Sequence, residues 1–217
     1  MLPLGTALTA LLTTAPTAGH IQKRFIIKMK VHVLDTGLFK LDGGAMFGVV
    51  PKSMWQKAYP ADANNMCTWA LRALLIEDGP RLMLIDTGIG DKQDDKFRGH
   101  FYLHGDDTLE KSLQKLGFTS ADITDVFLTH LHFDHCGGAV TRRPDGTLQL
   151  AFPNATYWSN AAHWQWATHP NPREKASFLP DNILPIHESG HLQFLDPAAG
   201  PPDALPQFQE IDRKSVV

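Results

Sequence analysis

Alternating apolar and polar positions predict a β-hairpin in the first half of the chain. Residues 68–77 place an apolar side chain at every second position from Trp69 to Leu75, which is the period of a strand with one buried face. A turn-forming Asp-Gly-Pro follows at 78–80, and residues 81–85 are almost entirely apolar. We expect the two runs to pair, and the second run ends on a carboxylate, Asp86.

Other short apolar or β-branched runs between turn residues predict further strands. They cover residues 30–39, 45–50, 125–129, 147–152, 155–159 and 191–196. Two segments predict helices. Residues 107–117 carry leucines on one face, with Asp107 as the expected N-cap and Gly117 at the end, and residues 160–169 carry two tryptophans, 164 and 166, expected to be partly buried. Strands interrupted by helices favour a layered α/β or α+β domain.

Composition limits the classes of partner. The chain has 217 residues, which suits one domain with a sizeable core, and a formal net charge of -3 without a long basic run. We therefore expect a small-molecule substrate and no nucleic acid. No apolar run is long enough for a transmembrane helix, so no membrane partner is expected, and the sequence leaves the oligomeric state open. Two cysteines do not make a disulfide framework, and a cytoplasmic location is the default expectation.

Both ends of the chain differ from its middle. Residues 1–28 are apolar and rich in Thr and Ala, without Lys or Arg before Lys23. They are interpreted as an extension upstream of a start at Met29, with two alternatives: a weak signal-like segment, which would imply a periplasmic or secreted protein, or an ordered part of the fold. Residues 212–217 follow a Pro-rich loop and back-translate readily to a sequencing adapter, so they are expected to be a non-native tail.

The segment "LTHLHFDHCGG", residues 128–138, concentrates the candidate chemistry. His130 and His132 are two positions apart, so in an extended segment they face one point, whereas Asp134 and His135 follow a bend and face a neighbouring point. Imidazole and carboxylate groups suit zinc, with iron or manganese as alternatives. Two ions about 3.5–4 Å apart can hold a hydroxide and polarise a substrate oxygen. The pattern predicts two adjacent metal sites.

This segment, together with "LMLIDTG" upstream, resembles the signature of the metallo-β-lactamase superfamily. The resemblance covers roughly residues 31–196 and implies a four-layer αβ/βα sandwich with its metals at one edge between the sheets. It implies that His130 and His132 bind a first zinc and that Asp134 and His135 bind a second. It also implies that Asp134 can accept a proton from the attacking water or pass one to the leaving group.

By the same resemblance, Asp86 would orient a ligand histidine through the free ring nitrogen; a turn-capping role is the alternative. The expected domain is residues 29–211, truncated so that the second half of the sandwich is incomplete. A third His, a bridging Asp and a last His of the family pattern are not found. We expect the chain to bind metal poorly for that reason.

The other histidines offer weak substitutes for those ligands. His187 and His191 are near the right region, but His191 fits a surface strand better. His163 and His169 are expected to pack or lie at the surface, and His100 and His104 lie on a loop that in such proteins can flank the substrate.

The favoured function is a metal-dependent hydrolase. A hydroxide activated by two zinc ions would attack a lactone, ester, thioester or amide carbonyl. Phe133 before Asp134, and the aromatic helix after the metal loop, are similar to lactonase-type members; their aromatic rings would either line an acyl pocket or belong to the core. The alternatives are a non-haem iron enzyme of oxygen chemistry with the same fold, and an inactive truncated fragment.

Overall fold

A computed structural model describes residues 29–195, which form a mixed α/β fold. The strands are β1 (Lys30–Asp42), β2 (Met66–Asp78), β3 (Arg81–Ile85), β4 (Asp125–Phe127), β5 (Val140–Arg142), β6 (Leu148–Leu150), β7 (Thr156–Asn160) and β8 (Leu192–Leu195). The α-helices are α1 (Gly43–Phe47), α2 (Lys52–Trp55), α3 (Asp95–Phe101), α4 (Leu109–Lys115), α5 (Phe133–Cys136), α6 (Ala161–Thr168) and α7 (Pro180–Glu188). The expectations for residues 1–28 and 212–217, and for the completeness of the second half of the sandwich, concern residues outside this part.

Six strands form one mixed sheet in the order β1-β2-β3-β4-β7-β8, and β5 pairs with β6 separately. The predicted hairpin is present, since β2 and β3 pair in antiparallel register from Leu74–Ile85 to Asp78–Arg81. From β3 onward the neighbours β3, β4, β7 and β8 are parallel. The carboxyl ends of parallel strands meet at one edge of a sheet, which is where α/β proteins bind ligands. The segments after β3, β4 and β7 are therefore brought together.

The hydrophobic core explains why apolar and polar residues alternate along the strands. Most of its buried members come from five strands of the large sheet, from α4, α6 and α7, and from the segments between them; among them are Leu34, Leu75, Leu84, Leu113, Val126, Tyr157, Ala167 and Ile186. A second cluster joins the sheet to the segment after β4 through Phe39, Leu71, Ile89 and Phe133. Phe133 lies with its ring centroid 4.6 Å from that of Phe101 on α3. The loop after β4 is thus anchored in apolar packing.

Three local predictions were wrong. Residues 45–50 do not form a strand, because the Asp42 carboxylate accepts hydrogen bonds from the amides of Gly44 and Ala45 and so caps α1. Helix α4 is capped by Thr108 rather than Asp107, whose carboxylate pairs with Lys115 at 2.8 Å. Trp166 is 51% exposed and donates its indole N–H to Glu174.

None of the helices found between residues 29 and 195 has the length and apolar character needed to cross a bilayer.

Candidate metal centre

The histidine-rich segment begins where β4 ends. Leu128 continues the sheet through its amide, which donates to the Trp158 carbonyl at 3.0 Å. His132 then opens helix α5, because its carbonyl accepts from the amides of His135 and Cys136 at 3.0 Å each. His130 and His132 therefore precede the helix, whereas Asp134 and His135 lie on its single turn. This is the bend that the sequence predicts.

Three imidazole rings converge after this bend. The ring centroid of His130 lies 3.9 Å from that of His135 and 4.6 Å from that of His132. Burial, together with the neighbouring His135 and His132, lowers the pKa of His130 to about 4. Burial also lowers the pKa of His132. Neutral imidazole is the form that ligates metal ions, so these shifts keep His130 and His132 in a competent state.

Asp86 organises the cluster from the end of β3. It is 8% exposed and has a left-handed backbone, φ 59°, which Asp tolerates better than most residues. Its carboxylate accepts the amide of Thr129 at 2.9 Å and the Thr129 hydroxyl at 2.8 Å. It also accepts from Nδ1 of His135 at 2.8 Å. Asp86 therefore contacts a candidate ligand directly and does more than cap a turn.

The bond from Asp86 fixes the tautomer of His135. With Nδ1 donating, Nε2 is the nitrogen left free for an ion, and it lies 3.5 Å from Oδ2 of Asp134. Burial lowers the pKa of His135, but the hydrogen bond to Asp86 and the charges of Asp134 and Asp86 outweigh it, so the pKa is raised overall. A raised pKa means a more basic imidazole, and a more basic imidazole is a better ligand.

Glycines let the two loops of the site approach closely. A Cβ on Gly137 would lie 2.1 Å from the Ile89 carbonyl oxygen, and one on Gly138 would lie 2.3 Å from that of Thr87. This close approach allows a hydrogen bond between the two loops, from the Thr87 amide to the His135 carbonyl at 2.7 Å. Cys136, directly before these glycines, is fully buried, and its thiol donates to the Leu131 carbonyl at 3.3 Å.

His163 lies beside the cluster, whereas the sequence predicts a packing or surface role for it. Asn160 caps α6 by accepting from the amides of Ala162 and His163, which sets the ring near the end of β4. Nε2 of His163 accepts a hydrogen bond from the Leu131 amide at 2.9 Å, and the ring centroid of His163 lies 6.3 Å from that of His130. The signal that could have placed His163 here is the parallel pairing of β7 with β4, because the residues after two parallel neighbouring strands lie at the same edge of the sheet.

The remaining histidines are engaged elsewhere. His191 bonds the Ala155 carbonyl at 2.8 Å, and His187 stacks on Trp164 with centroids 5.3 Å apart. His169 stays near the end of α6, and His100 is exposed on α3. His104 pairs its backbone with Leu38 and lines a cavity of about 570 Å³ that Thr87 and Gly138 also line.

The donor atoms fit zinc in kind. Three imidazoles and the Asp134 carboxylate offer nitrogen and oxygen ligands of the type that zinc takes. The 3.5 Å between His135 Nε2 and Asp134 Oδ2 is close to the ~3.3 Å that two ligands of one tetrahedral zinc require. Across residues 29–195, no three His, Cys, Asp or Glu side chains form a group that could hold an ion as they stand. The fit is one of donor chemistry.

A mixed sheet that gathers imidazoles and a carboxylate at the carboxyl ends of parallel strands is typical of α/β proteins that bind ligands at this edge. The chain belongs to the metallo-β-lactamase superfamily, whose family model matches residues 72–202. A probable metallo-hydrolase of Mycobacterium bovis is 28% identical over 153 residues, 62% of this chain and 45% of that protein.

Solved structures show the same relationship. A probable metal-dependent hydrolase from Staphylococcus aureus has a TM-score of 0.70 at 32% identity, covering 77% of this chain and 59% of the other. AidC, a dizinc quorum-quenching lactonase solved with its product N-hexanoyl-L-homoserine, has a TM-score of 0.56 at 25% identity, with 78% and 58% covered. The chain spans about half the length of the curated relatives it matches.

Proposed function

We propose that the protein is a zinc-dependent hydrolase of carbonyl substrates, with a lactone as the favoured substrate. The observation that carries the proposal is the cluster of three imidazole rings beside Asp134, in which Asp86 fixes the tautomer of His135. A half-buried cluster of this kind gains nothing without a cation, because its members repel one another when protonated. The similarity to AidC supports the lactone over other carbonyl compounds.

His130 and His132 would hold one zinc, and Asp134 and His135 a second. Bound there, zinc would supply a hydroxide at neutral pH and polarise the substrate carbonyl. Oδ2 of Asp134 would accept the proton of the attacking water and return it to the leaving oxygen. In neutral His135, Asp86 would hold the proton on Nδ1, which leaves the lone pair of Nε2 directed at the ion.

Apolar side chains flank the imidazoles and would limit the entry of bulk water. The Phe178 ring centroid lies 4.7 Å from that of His132, and Phe133 is buried against Phe97 and Phe101. Low local polarity strengthens the electrostatic interactions of the reacting groups. An apolar wall also suits a substrate that carries an acyl chain, such as an N-acyl-homoserine lactone.

The test is hydrolysis by the protein in excess zinc. Four donors on one segment are too few to close two zinc shells, so the ions are expected to be loosely held and the excess keeps them bound. We expect N-hexanoyl-homoserine lactone to be opened faster than a thioester or a β-lactam. The double variant His130→Ala/His132→Ala should lose this activity, whereas His169→Ala, on the exposed end of α6, should keep it.

Two results would contradict the proposal. One is full lactone hydrolysis by the double variant. The other is zinc-loaded protein that opens none of the three substrates. Zinc binding itself is measured separately by competition with a chromophoric chelator.

A further inference from the structure

Lys92 is a buried lysine that the proposed chemistry does not use. It lies six residues after Asp86 and is 7% exposed. Its ammonium donates to the Gly137 carbonyl. Within residues 29–195 no carboxylate lies at ion-pair distance from it. A charged group has therefore been taken out of water for a hydrogen bond to a neutral acceptor.

This burial is costly, so it calls for an explanation. Burial lowers the pKa of Lys92 to about 8, although the negative charges of Asp181 and Asp91 act in the opposite direction. An uncharged side chain of similar length would fill the same space without the cost of desolvating an ammonium.

The Gly137 carbonyl, which accepts the hydrogen bond from Lys92, shows what the buried lysine stabilises. Gly137 is the C-terminal cap of α5, the helix turn that carries Asp134 and His135. Carbonyls at the end of a helix have no partner within the helix, and a lysine ammonium satisfies them well. Lys92 thus holds the end of the segment whose side chains would ligate zinc.

Lys92 completes a set of ties between two loops. The Thr87 amide donates to the His135 carbonyl at 2.7 Å, and the Gly138 amide donates to the Gly88 carbonyl at 3.0 Å. The Lys92 carbonyl in turn accepts from Nε of Arg142 on β5 at 3.4 Å, so the backbone of Lys92 is itself held. These ties set the position of α5 relative to the loop that follows β3.

We propose that Lys92 is a positioning residue: by donating to the Gly137 carbonyl, it holds Asp134 and His135 in position relative to Asp86 for metal binding. This proposal rests on the proposed function only in naming zinc as the ion. The tie itself can be measured without zinc.

The test compares three variants with the unaltered chain. Lys92→Met removes the ammonium and keeps the apolar stem, Lys92→Arg keeps a cationic donor, and Lys96→Met, on the exposed face of α3, is the matched control. Amide hydrogen exchange is followed at Thr87 and Gly138, with the amides of β4 and β7 as reporters of the whole fold. Zinc affinity is measured by chelator competition.

In Lys92→Met we expect exchange at Thr87 and Gly138 to be at least about tenfold faster than in Lys96→Met, with β4 and β7 unchanged. The zinc dissociation constant should rise roughly tenfold or more, the usual effect of losing a group that orients ligands. Lys92→Arg should stay within about threefold of the unaltered chain in both measurements, because its guanidinium can donate to the same carbonyl.

The proposal is overturned if Lys92→Met matches Lys96→Met at both amides and in zinc affinity. It is also overturned if exchange accelerates equally in β4 and β7, since Lys92 would then support the fold in general. A chain that binds no zinc would refute the proposed function alone, and the exchange rates would still decide whether the clamp exists.

Discussion

Substituting alanine for Gly137 should destabilise the protein, although the backbone at this position is helical. Gly137 has φ -60° and ψ -40°, values that alanine adopts readily, so backbone preference alone would favour the substitution. The obstacle is steric. The new Cβ would lie 2.1 Å from the Ile89 carbonyl oxygen, whereas ordinary contact begins near 3.4 Å. One of the two loops would have to retreat by about 1.3 Å, the difference between these distances.

The expected cost follows from what must move. Overpacking in a folded interior costs roughly 1–3 kcal/mol, and the obstacle here is main chain that is already tied by hydrogen bonds. Against this stands a gain of about 0.4–1 kcal/mol from the stiffer unfolded chain. Because tied main chain cannot yield as a side chain does, the upper end of the cost, about 3 kcal/mol, applies. The net loss should then be about 2 kcal/mol, which lowers the melting temperature of a chain of this size by roughly 4–8 °C.

Thermal unfolding in EDTA, followed by circular dichroism, measures this loss. Gly99→Ala is the matched control, because Gly99 lies in α3 with open space around its Cβ position. It should be neutral or stabilise by up to about 1 kcal/mol, as alanine favours a helix over glycine. Equal melting temperatures for Gly137→Ala and Gly99→Ala would refute the claim that the two loops touch through Gly137.

Three further outcomes are expected for the zinc-free protein. Asp86→Asn should cost about 2 kcal/mol through weakened charged hydrogen bonds. The raised pKa of His135 stabilises the fold below the ordinary pKa near 6.5, and this contribution is lost as pH rises through the folded pKa. The loss in free energy of unfolding should therefore be larger at pH 6 than at pH 8. Urea denaturation at both pH values measures it, and an equal loss would count against the hydrogen bond between Asp86 and His135. Arg81→Met should cost about 3 kcal/mol, because it leaves the Asp125 carboxylate, 3% exposed, without its cation; an unchanged urea midpoint would disprove this. Stability should fall from pH 6.5 toward about 4, because unfolded His130 takes up a proton there and folded His130 does not; melting curves of His130→Gln should be less sensitive to acid, and equal sensitivity would remove this cause.

The sequence was most informative where one local signal sufficed. Strand β2 follows from the alternation of apolar positions and β3 from the apolar run after the turn, and the structure pairs them as expected. The α/β class and the family resemblance are confirmed by the fold and by the family match. The four candidate ligands from His130 to His135 are adjacent in sequence, so their proximity needed no long-range information. Their role as ligands stays a prediction.

The sequence was least informative where distant contacts decide. Residues 45–50 are as apolar as a strand, but the cap from Asp42 and the packing of Phe47 on Trp55, with centroids 4.6 Å apart, select a helix at 43–47 instead. His163 bonds an amide 32 positions earlier in the chain, and only the parallel pairing of β4 with β7 brings the two together.

The thiol of Cys136 sits one position from a candidate ligand and yet stands outside the chemistry. Burial raises its pKa to about 12, so it remains a protonated hydrophobe at neutral pH. A soft sulfur donor is thereby withheld, and the loop offers incoming ions only harder nitrogen and oxygen atoms. For the same reason, oxidants and alkylating reagents should spare this cysteine until the loop itself opens.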